Sequence, residues 1–364
     1  MDNVKANSIA KEFIARQKTM DHCSNIKHLA SKYHVSIADL ASIAIVTFRI
    51  PDLSDPAKRA QLPPSQHVPL SGCMLQGCAQ AEDPLAIIQI LTAVYLADST
   101  NVAIYKTLAS LFPHNEVTNY RKTLEALCAK AVTFPLGPEA LTLQGLFLER
   151  EGQRDKAKEL YTEALQRCHM KFTPGSRHPL QLPLIAPWNA LGYLLKSENR
   201  PESLEHAKVY FKKGAMEGDD PLSCYELATL LDRKDADWLL YTSKAAASGH
   251  REATVQLADF YREVSLQNSP VLEDGKMRKA LNWVLGWKSD SPATLAREWL
   301  EAASNMGHKP STLQLADFCE ASGNRERATE HLRRMLDPPR GASQAEEWPQ
   351  LVEGARRRLA SRTI

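Results

Sequence analysis

The sequence contains little that would suit a disulfide framework, a zinc site or a membrane-spanning helix. Its seven cysteines are scattered and odd in number, and no two of them form a CxxC pair, so neither a disulfide scaffold nor a structural zinc site is indicated. The longest apolar run, residues 37–50, is interrupted by Asp39 and Arg49 and is too short to cross a bilayer. We interpret it as a buried helix and expect no transmembrane segment.

An excess of charge of one sign is also missing. The chain has 45 basic and 43 acidic residues, a net charge of +2, whereas a surface devoted to nucleic acid or anionic membrane is usually more basic. Nucleic acid is therefore an unfavoured partner. The N-terminus has no continuous apolar segment of the secretory kind, which predicts an intracellular and by default cytoplasmic protein. Its early basic residues leave a mitochondrial location open, although Asp2 and Glu12 do not suit a transit peptide.

The common motifs of catalysis and cofactor binding are absent as well. The sequence has no GxSxG nucleophile elbow, no GxxxxGKS or GxxxxGKT phosphate loop, no GxGxxG and no HExxH. The nearest approach to a metal cluster does not place its ligands on one helix face; it consists of His22, Cys23, His28 and His34. We expect no metal, no cofactor and no enzymatic activity. An enzyme whose carboxylates converge from distant segments is the alternative that stays open.

One pattern occurs three times between residues 207 and 318. An aromatic residue is followed by a small residue four positions on and by a glycine eight positions on, and a Leu–Ala pair follows that glycine by eight or nine residues. The first and last residues of the three copies are Tyr210 and Gly218, Tyr241 and Gly249, and Trp299 and Gly307. Self-similarity on this scale marks a repeat protein. We expect each terminal glycine to end a helix in the left-handed conformation.

Residues 138–168 show the helix pair of such a repeat most clearly. The range 151–154 forms the expected turn, and small residues recur on both predicted helices, where they would let the helix axes approach to about 8–10 Å. The unit resembles a tetratricopeptide repeat, and the residues at the positions of that family's pattern are Gly145, Leu148, Ala157, Tyr161 and Ala164.

The later copies resemble the Sel1-like subfamily of these repeats. The shared features are a longer turn between the helices, residues 196–205, and a closing run such as Ala215–Gly218. Alanines stand where the family often has glycine, at Ala228, Ala258 and Ala316. An insertion also follows Ala258 and breaks the regular repeat length. The resemblance covers residues 138–336 and implies an all-α fold, a right-handed superhelical α-solenoid of stacked antiparallel helix pairs.

Proline content and helix-start signals divide the chain into five segments. Ser36 and Asp83 are the expected N-caps of two helices before the array. The Pro-rich segment, residues 51–81, has a binding loop as its alternative interpretation. For the last helix the alternative to capping is a contact of Arg356–Arg358 with RNA, acidic protein or lipid. The predicted segments are an N-terminal helical segment (1–50), a Pro-rich linker or loop (51–81), a helical region with room for diverged repeats (82–137), the repeat array (138–336) and a C-terminal capping helix (337–364).

A non-catalytic protein–protein interaction scaffold or adaptor is the function that this architecture favours. Stacked helix pairs form a concave face from the first helix of every pair, and such a groove binds a peptide or a partner helix. The expected contact residues are Gln144, Glu149, Asn189, Tyr193, Glu226, Gln256, Asp259, Gln314 and Asp317. The alternative is an RNA-associated helical-repeat factor, for example in mitochondrial gene expression. We assign the repeat aromatics to the core rather than to base stacking: Trp188, Tyr210, Tyr241, Trp283 and Trp299.

Overall fold

The chain is all-helical wherever its structure is described. A computed structural model describes residues 2–50, 66–100, 103–130, 136–168, 184–266, 269–286, 290–338 and 346–361, and within these ranges it contains twenty α-helices, one 3-10 turn and no strand. Helices that follow one another in sequence pack as neighbours, so the prediction of an all-α chain of helix pairs is confirmed. The right-handed superhelix stays a prediction.

The described residues form two compact units. Unit 1 holds those up to Leu191 and unit 2 those from Gly192 onward, so the division falls inside the predicted array and within helix α10, Pro187–Lys196. Unit 1 contains α1 (Asn3–Arg16), α2 (His22–Tyr33), α3 (Ile37–Phe48), α4 (His67–Gln80), α5 (Pro84–Ser99), α6 (Ala103–Ala109), α7 (His114–Ala129), α8 (Gly137–Arg150) and α9 (Arg154–Arg167).

Short polar side chains start helices in unit 1 where the sequence predicts them. The Ser36 hydroxyl accepts from the Asp39 N–H at 3.1 Å, and the Asp39 carboxylate accepts from the Ser36 N–H at 2.9 Å, which completes a capping box. The Asp83 carboxylate accepts from the Ala86 N–H at 2.9 Å, with Pro84 in the first turn. Both N-cap predictions are confirmed.

Residues 67–80 correct the prediction of an irregular segment over 51–81. They form α4, which contributes Met74, Leu75 and Cys78 to the core of unit 1, each fully buried. Pro69 lies in the first turn of α4, where a missing N–H leaves no hydrogen bond unmade. The proline content therefore misled the prediction for this part. The remainder of the predicted linker, residues 51–65, lies outside the described residues.

A glycine lets α4 lie directly against the backbone of α2. A Cβ atom added at Gly77 would stand 2.5 Å from the carbonyl oxygen of His22 and 2.7 Å from the Ile26 side chain. Real Cβ atoms do not approach a backbone atom that closely, so only glycine permits this contact.

Glu12 connects the first two helices of unit 1. Its carboxylate accepts hydrogen bonds from Lys32 Nζ at 2.6 Å, from the Tyr33 hydroxyl at 2.9 Å and from Arg16 Nε at 3.0 Å. The hydrogen bond from Lys32 is the largest of the effects that lower the pKa of Glu12 to about 2. The carboxylate therefore stays charged, and able to accept these hydrogen bonds, down to strongly acidic pH.

Unit 2 consists of successive helix pairs with one insertion. The pairs are α10 with α11, which meet through Gly192, Tyr193 and Phe211, then α12 with α13, α14 with α17, and α18 with α19. Helices α15 and α16 belong to the insertion. The helices of unit 2 after α10 are α11 (Pro201–Glu217), α12 (Pro221–Thr229), α13 (Ala236–Ala247), α14 (Arg251–Val264), α15 (Gly275–Ala280), α16 (Asn282–Leu285), α17 (Ser291–Asn305), α18 (Lys309–Ala321), α19 (Arg325–Arg334) and α20 (Pro349–Ala360).

A glycine on the first helix faces an aromatic ring on the second helix in each unit. In unit 1 a Cβ at Gly145 would stand 2.5 Å from the Tyr161 ring, and in unit 2 a Cβ at Gly192 would stand 2.5 Å from Cζ of the Phe211 ring. Tyr161 and Phe211 are both fully buried. The small residue at the crossing thus makes room for the large one within the same helix pair.

The terminal glycines of the repeated pattern do not all behave alike. Gly249 and Gly307 have φ angles of 87° and 88°, as predicted for left-handed helix ends. Gly218 does not, because its φ is −92° and the following residue, Asp219, takes the left-handed conformation at φ 44°. The prediction is wrong for Gly218, since the reversal occurs one residue later. Aspartate is one of the few residues with a side chain that tolerates this conformation.

Replacing Asp219 with glycine should stabilise unit 2 by about 1 kcal/mol, because glycine adopts positive φ without steric cost. The loss of the ion pair with Lys244, whose atoms are 3.7 Å apart and well exposed, should cost less than that. Urea unfolding of the full-length variant measures the effect. Gly249→Ala is the opposite control and should destabilise by about 1–2 kcal/mol. An Asp219→Gly variant that is less stable than wild type would show that the ion pair outweighs the backbone conformation.

Trp283 corrects the assignment of the repeat aromatics to the core. Trp188 and Tyr241 are buried, and Tyr210 and Trp299 are half-buried, but Trp283 is 60% exposed. It lies on α16, a helix of four residues that buries Val284 instead. A helix this short covers only one face, so its second large side chain remains in solvent.

No single helix in the described parts of the chain is both long and apolar enough to cross a membrane. Helices α2 and α3 reach the necessary length and composition only when they are counted together, and the chain bends by 110° between them.

Candidate functional site

The residues predicted to contact a partner lie on α8, α10, α12, α14 and α18. They differ widely in exposure. Those on α14 and α18 offer the most side-chain surface. The buried ones are Gln144, Asn189 and Glu226, the half-buried ones Glu149, Tyr193, Gln256 and Asp259, and the exposed ones Gln314 and Asp317.

In unit 1 the predicted contact residues are engaged in packing. Gln144 is 6% exposed and Asn189 is 1% exposed, which leaves little of either side chain for a partner. The Glu149 carboxylate accepts a hydrogen bond from the Tyr161 hydroxyl at 2.9 Å. These side chains therefore support the helix pairs of unit 1 in the described conformation.

In unit 2 a buried carboxylate joins two successive first helices. Glu226 on α12 accepts from the Tyr193 hydroxyl at 2.8 Å and from Lys196 Nζ at 2.7 Å, both on α10. Lys196 Nζ also donates to Thr229 Oγ1 at 3.1 Å. Burial, reinforced by the neighbouring carboxylate, raises the pKa of Tyr193, so its hydroxyl remains a donor. The arrangement fixes α12 against α10 through side chains that the sequence assigns to a binding face.

Helices α14 and α18 carry the same polar side chains at matching positions. Gln256 and Asp259 on α14 correspond to Gln314 and Asp317 on α18, three residues apart in each helix. Asp259 pairs with Arg262 of its own helix at 2.8 Å. Asp317 pairs instead with Arg358 of α20 at 2.7 Å. One position of the predicted binding face therefore already holds a helix, which is the last helix of the chain.

Helix α20 binds to α18 and α19 through an apolar face and one arginine. Ala355 is buried, and Leu351 and Leu359 pack beside it. The side chains that they cover on α18 and α19 include Ala316, Leu332 and Met335. Arg358 pairs with Asp317 and also with Glu320, each at 2.7 Å.

The residues directly before α20 contact a second surface. We call this surface the cationic edge, and it consists of His250, Arg251, His308 and Lys309. These residues begin α14 and α18, directly after the left-handed glycines. Both histidines are N-caps: His250 Nδ1 accepts from the Ala253 N–H at 3.4 Å, and His308 Nδ1 accepts from the Ser311 N–H at 3.3 Å. The arginine and the lysine then occupy the first helical position.

Glu346, Glu347 and Trp348 form the acidic segment that contacts the cationic edge. Lys309 Nζ donates to the Glu346 carboxylate and, at 3.0 Å, to the Asp337 carbonyl oxygen. Arg251 pairs with Glu347 at 3.2 Å, and its guanidinium lies 5.5 Å from the centre of the Trp348 ring. The Trp348 ring also meets the His308 ring edge to face, with centres 5.1 Å apart.

The charges of this contact are set by burial and by the facing groups. Burial lowers the pKa of His308 from its ordinary 6.5, as does the positive charge of Arg251, and burial likewise lowers the pKa of His250. Burial alone would raise the pKa of Glu346, but the hydrogen bond from Lys309 and that from the Trp348 N–H bring it below 4.5. Both histidines are therefore neutral near pH 7, as an N-cap acceptor must be, and Glu346 is charged.

A fall in pH should loosen this region, because His308 must gain a proton and lose its role as acceptor. A group whose folded pKa is lowered stabilises the fold above its unfolded pKa, here about 6.5, and this contribution is lost as the pH falls below that value. The groups that face His308 are Arg251, Glu252, Asp259, Ser311, Glu347 and Trp348.

The substitution His308→Asn keeps an N-cap acceptor at this position but removes the group that gains a proton. Asparagine caps helices well, so at pH 7.5 the free energy of unfolding of the variant should be within about 1 kcal/mol of the wild-type value. Between pH 7.5 and 5.5 the variant should lose less stability than wild type. Urea unfolding at several pH values measures both. His206→Asn, an exposed histidine on α11, serves as the control substitution. An unchanged dependence on pH in His308→Asn would exclude this histidine as the sensitive group.

The cationic edge was missed from sequence, although a signal existed. Gly249-His250-Arg251 and Gly307-His308-Lys309 repeat a glycine, histidine and basic residue at the start of the same two copies. The acidic segment gave no signal because its partners are distant in sequence. Within the residues that the structure describes, no group of histidine, cysteine and carboxylate side chains could hold a metal ion.

No family model matches the chain, and no curated protein sequence matches it.

Proposed function

We propose that this chain is a non-catalytic protein-interaction scaffold or adaptor that binds a helix or an extended peptide on the first helices of a Sel1-like, right-handed solenoid. The observation that supports the proposal most is that the predicted face already holds a helix, since Asp317 of α18 pairs with Arg358 of α20. At the matching position on α14, Asp259 pairs with Arg262 of its own helix and not with a residue of α20. A partner could extend the same mode of binding along α14.

Capture of partners from the host by the full-length protein, with nuclease present, tests this function. Asp259→Lys combined with Asp317→Lys reverses charge on the predicted face. Glu205→Lys combined with Glu298→Lys makes the same change on the second helices α11 and α17, where both side chains are exposed. We expect the first pair of substitutions to remove the partners and the second pair to retain them. Retention of every partner by both variants would exclude this face.

The RNA-associated alternative remains as one outcome of the capture. Loss of all bound material on nuclease treatment would favour it. Arg333, Arg334, Arg340 and the cluster Arg356–Arg358 suggested it from sequence. Four of these arginines have acidic partners in the structure: Arg334 lies 3.9 Å from Glu301, Arg356 and Arg357 pair with Glu353 at 2.7 Å and 3.4 Å, and Arg358 pairs with Asp317 and Glu320. Arg340, also part of that suggestion, lies outside the described residues. These ion pairs support the protein-binding proposal over binding to phosphate.

A further inference from the structure

We infer that the cationic edge is a binding site for an extended segment with two successive carboxylates and an aromatic residue, and that Glu346–Trp348 occupies it as a built-in competitor. The inference rests on the proposed scaffold function and names both the chemistry of a partner and its regulation. A segment of another protein with the same chemistry would bind in place of the chain's own residues.

Lys309 shows that the site requires a carboxylate. Its side chain is only 7% exposed, and a cation this buried is costly unless it is paired and hydrogen-bonded. Its ammonium group donates to the Asp337 carbonyl oxygen and to the Glu346 carboxylate. Departure of Glu346 would leave a buried cation facing a single neutral acceptor. Another carboxylate would therefore enter in its place more favourably than water.

Arg251 binds the second carboxylate of the segment and also forms part of the place where the aromatic ring lies. Its guanidinium group pairs with Glu347 while lying 5.5 Å from the centre of the Trp348 ring, within the range of a cation–π contact. The His308 ring meets the same ring edge to face, with the ring centres 5.1 Å apart. Order is thereby imposed on the ligand, because the lysine takes the first carboxylate, the arginine the second, and the arginine and histidine together the aromatic ring.

We expect the side chains of the acidic segment to leave the cationic edge while the last helix stays bound, although Trp348 is the N-cap of that helix. Helix α20 has its own attachment through Leu351, Ala355 and Leu359 and through Arg358, none of which belongs to the cationic edge. Residues 339–345 join the acidic segment to the chain that ends α19. A ligand held by such a short connection has an effective concentration in the millimolar range, so a segment from another molecule competes poorly until the chain's own segment is disabled.

Peptide binding to full-length protein tests the inference. The probe is a fluorescein-labelled peptide that copies residues 343–352, and its fluorescence anisotropy is followed in titrations. The released variant carries Glu346→Gln, Glu347→Gln and Trp348→Ala, which change the competitor and leave the edge intact. We expect it to bind the peptide at least about 10-fold more tightly than wild type, because the internal competitor is gone.

Arg251→Glu, added to the released variant, should weaken peptide binding at least about 10-fold, and a peptide with lysine in place of Glu347 should recover most of the loss. Arg262→Glu is the matched control, since it makes the same change on the other end of α14, and it should leave the affinity within about 2-fold. Circular dichroism melting shows that each variant is folded.

Three results would overturn the inference. A folded released variant that does not bind the peptide has no such site. Equal affinities of wild type and the released variant would mean that residues 346–348 do not compete. Binding that is insensitive to Arg251→Glu would place the peptide elsewhere. Each leaves the scaffold function testable, because the partners lost on reversing Asp259 and Asp317 are captured independently of this peptide. Conversely, peptide binding without any such loss would contradict the scaffold function alone.

Discussion

Gly77→Ala should lower the free energy of unfolding of unit 1 by about 3 kcal/mol, at the upper end of the usual cost of overpacking. The added methyl group would stand 2.5 Å from the His22 carbonyl oxygen and 2.8 Å from its carbon, and a backbone inside a helix cannot rotate away as a side chain can. Helices α2 and α4 would have to separate. That separation would loosen contacts of α4 residues such as Met74 and Leu75, which lie in the core.

Two other glycines serve as comparison sites, because the same substitution to alanine meets different surroundings at each. A methyl group at Gly72 would meet the end of the Leu111 side chain, which can move, so the cost there should be smaller. A methyl group at Gly354 on α20 would meet nothing within 4 Å, and alanine is favoured over glycine in a helix by up to about 1 kcal/mol. Gly354→Ala should therefore stabilise.

Urea unfolding of the full-length variants, with hydrogen exchange to assign the change to one unit, measures this series. The expected order of stability is Gly354→Ala, wild type, Gly72→Ala and Gly77→Ala. A Gly77→Ala variant as stable as wild type would show that α2 and α4 do not approach at this point.

Phe211→Ala should cost about 3–5 kcal/mol, the usual effect of removing a large buried aromatic side chain. The ring is fully buried, meets the Tyr193 ring with centres 5.7 Å apart, and fills the space left by the missing side chain of Gly192. Its loss opens a cavity between α10 and α11, beside Tyr193, whose hydroxyl donates to Glu226.

A double-mutant cycle checks the reason for this cost as well as its size. Gly192→Ala alone should destabilise because the new methyl group would overlap the Phe211 ring, 2.5 Å from its Cζ. In a Phe211→Leu background the smaller side chain leaves room, so Gly192→Ala should cost about 1–2 kcal/mol less there. Additive effects of the two substitutions, measured by urea unfolding, would show that the ring and the glycine do not share this space.

Local signals in the sequence located many of the helix starts and ends. Ser36 and Asp83 cap their helices because the interaction involves residues only three positions apart. The turn between α8 and α9 includes Gly152, whose φ is 81°, and it too is set by neighbours in sequence. Such features depend on the chain within one turn, which the sequence displays directly.

Features that depend on tertiary contacts were not predictable in the same way. Helix α4 forms although the surrounding sequence is rich in proline, because α2 and α3 provide a surface for its apolar residues. The left-handed residue at Asp219, rather than Gly218, depends on where the next helix begins. The acidic segment binds the cationic edge across 37 residues between Lys309 and Glu346 and 96 between Arg251 and Glu347. No periodicity in the sequence relates these pairs.

The carboxylate of Glu12 gives the two ends of the chain different sensitivities to acid. Its pKa of about 2 means that its contribution to stability is complete above pH 4.5 and is lost only as the pH falls toward 2. The lowered pKa of His308 acts earlier, from about pH 6.5 downward. On gradual acidification the C-terminal end should therefore become accessible to a protease first, while the N-terminal helix is still protected. The order of cleavage would report which end of the molecule had opened.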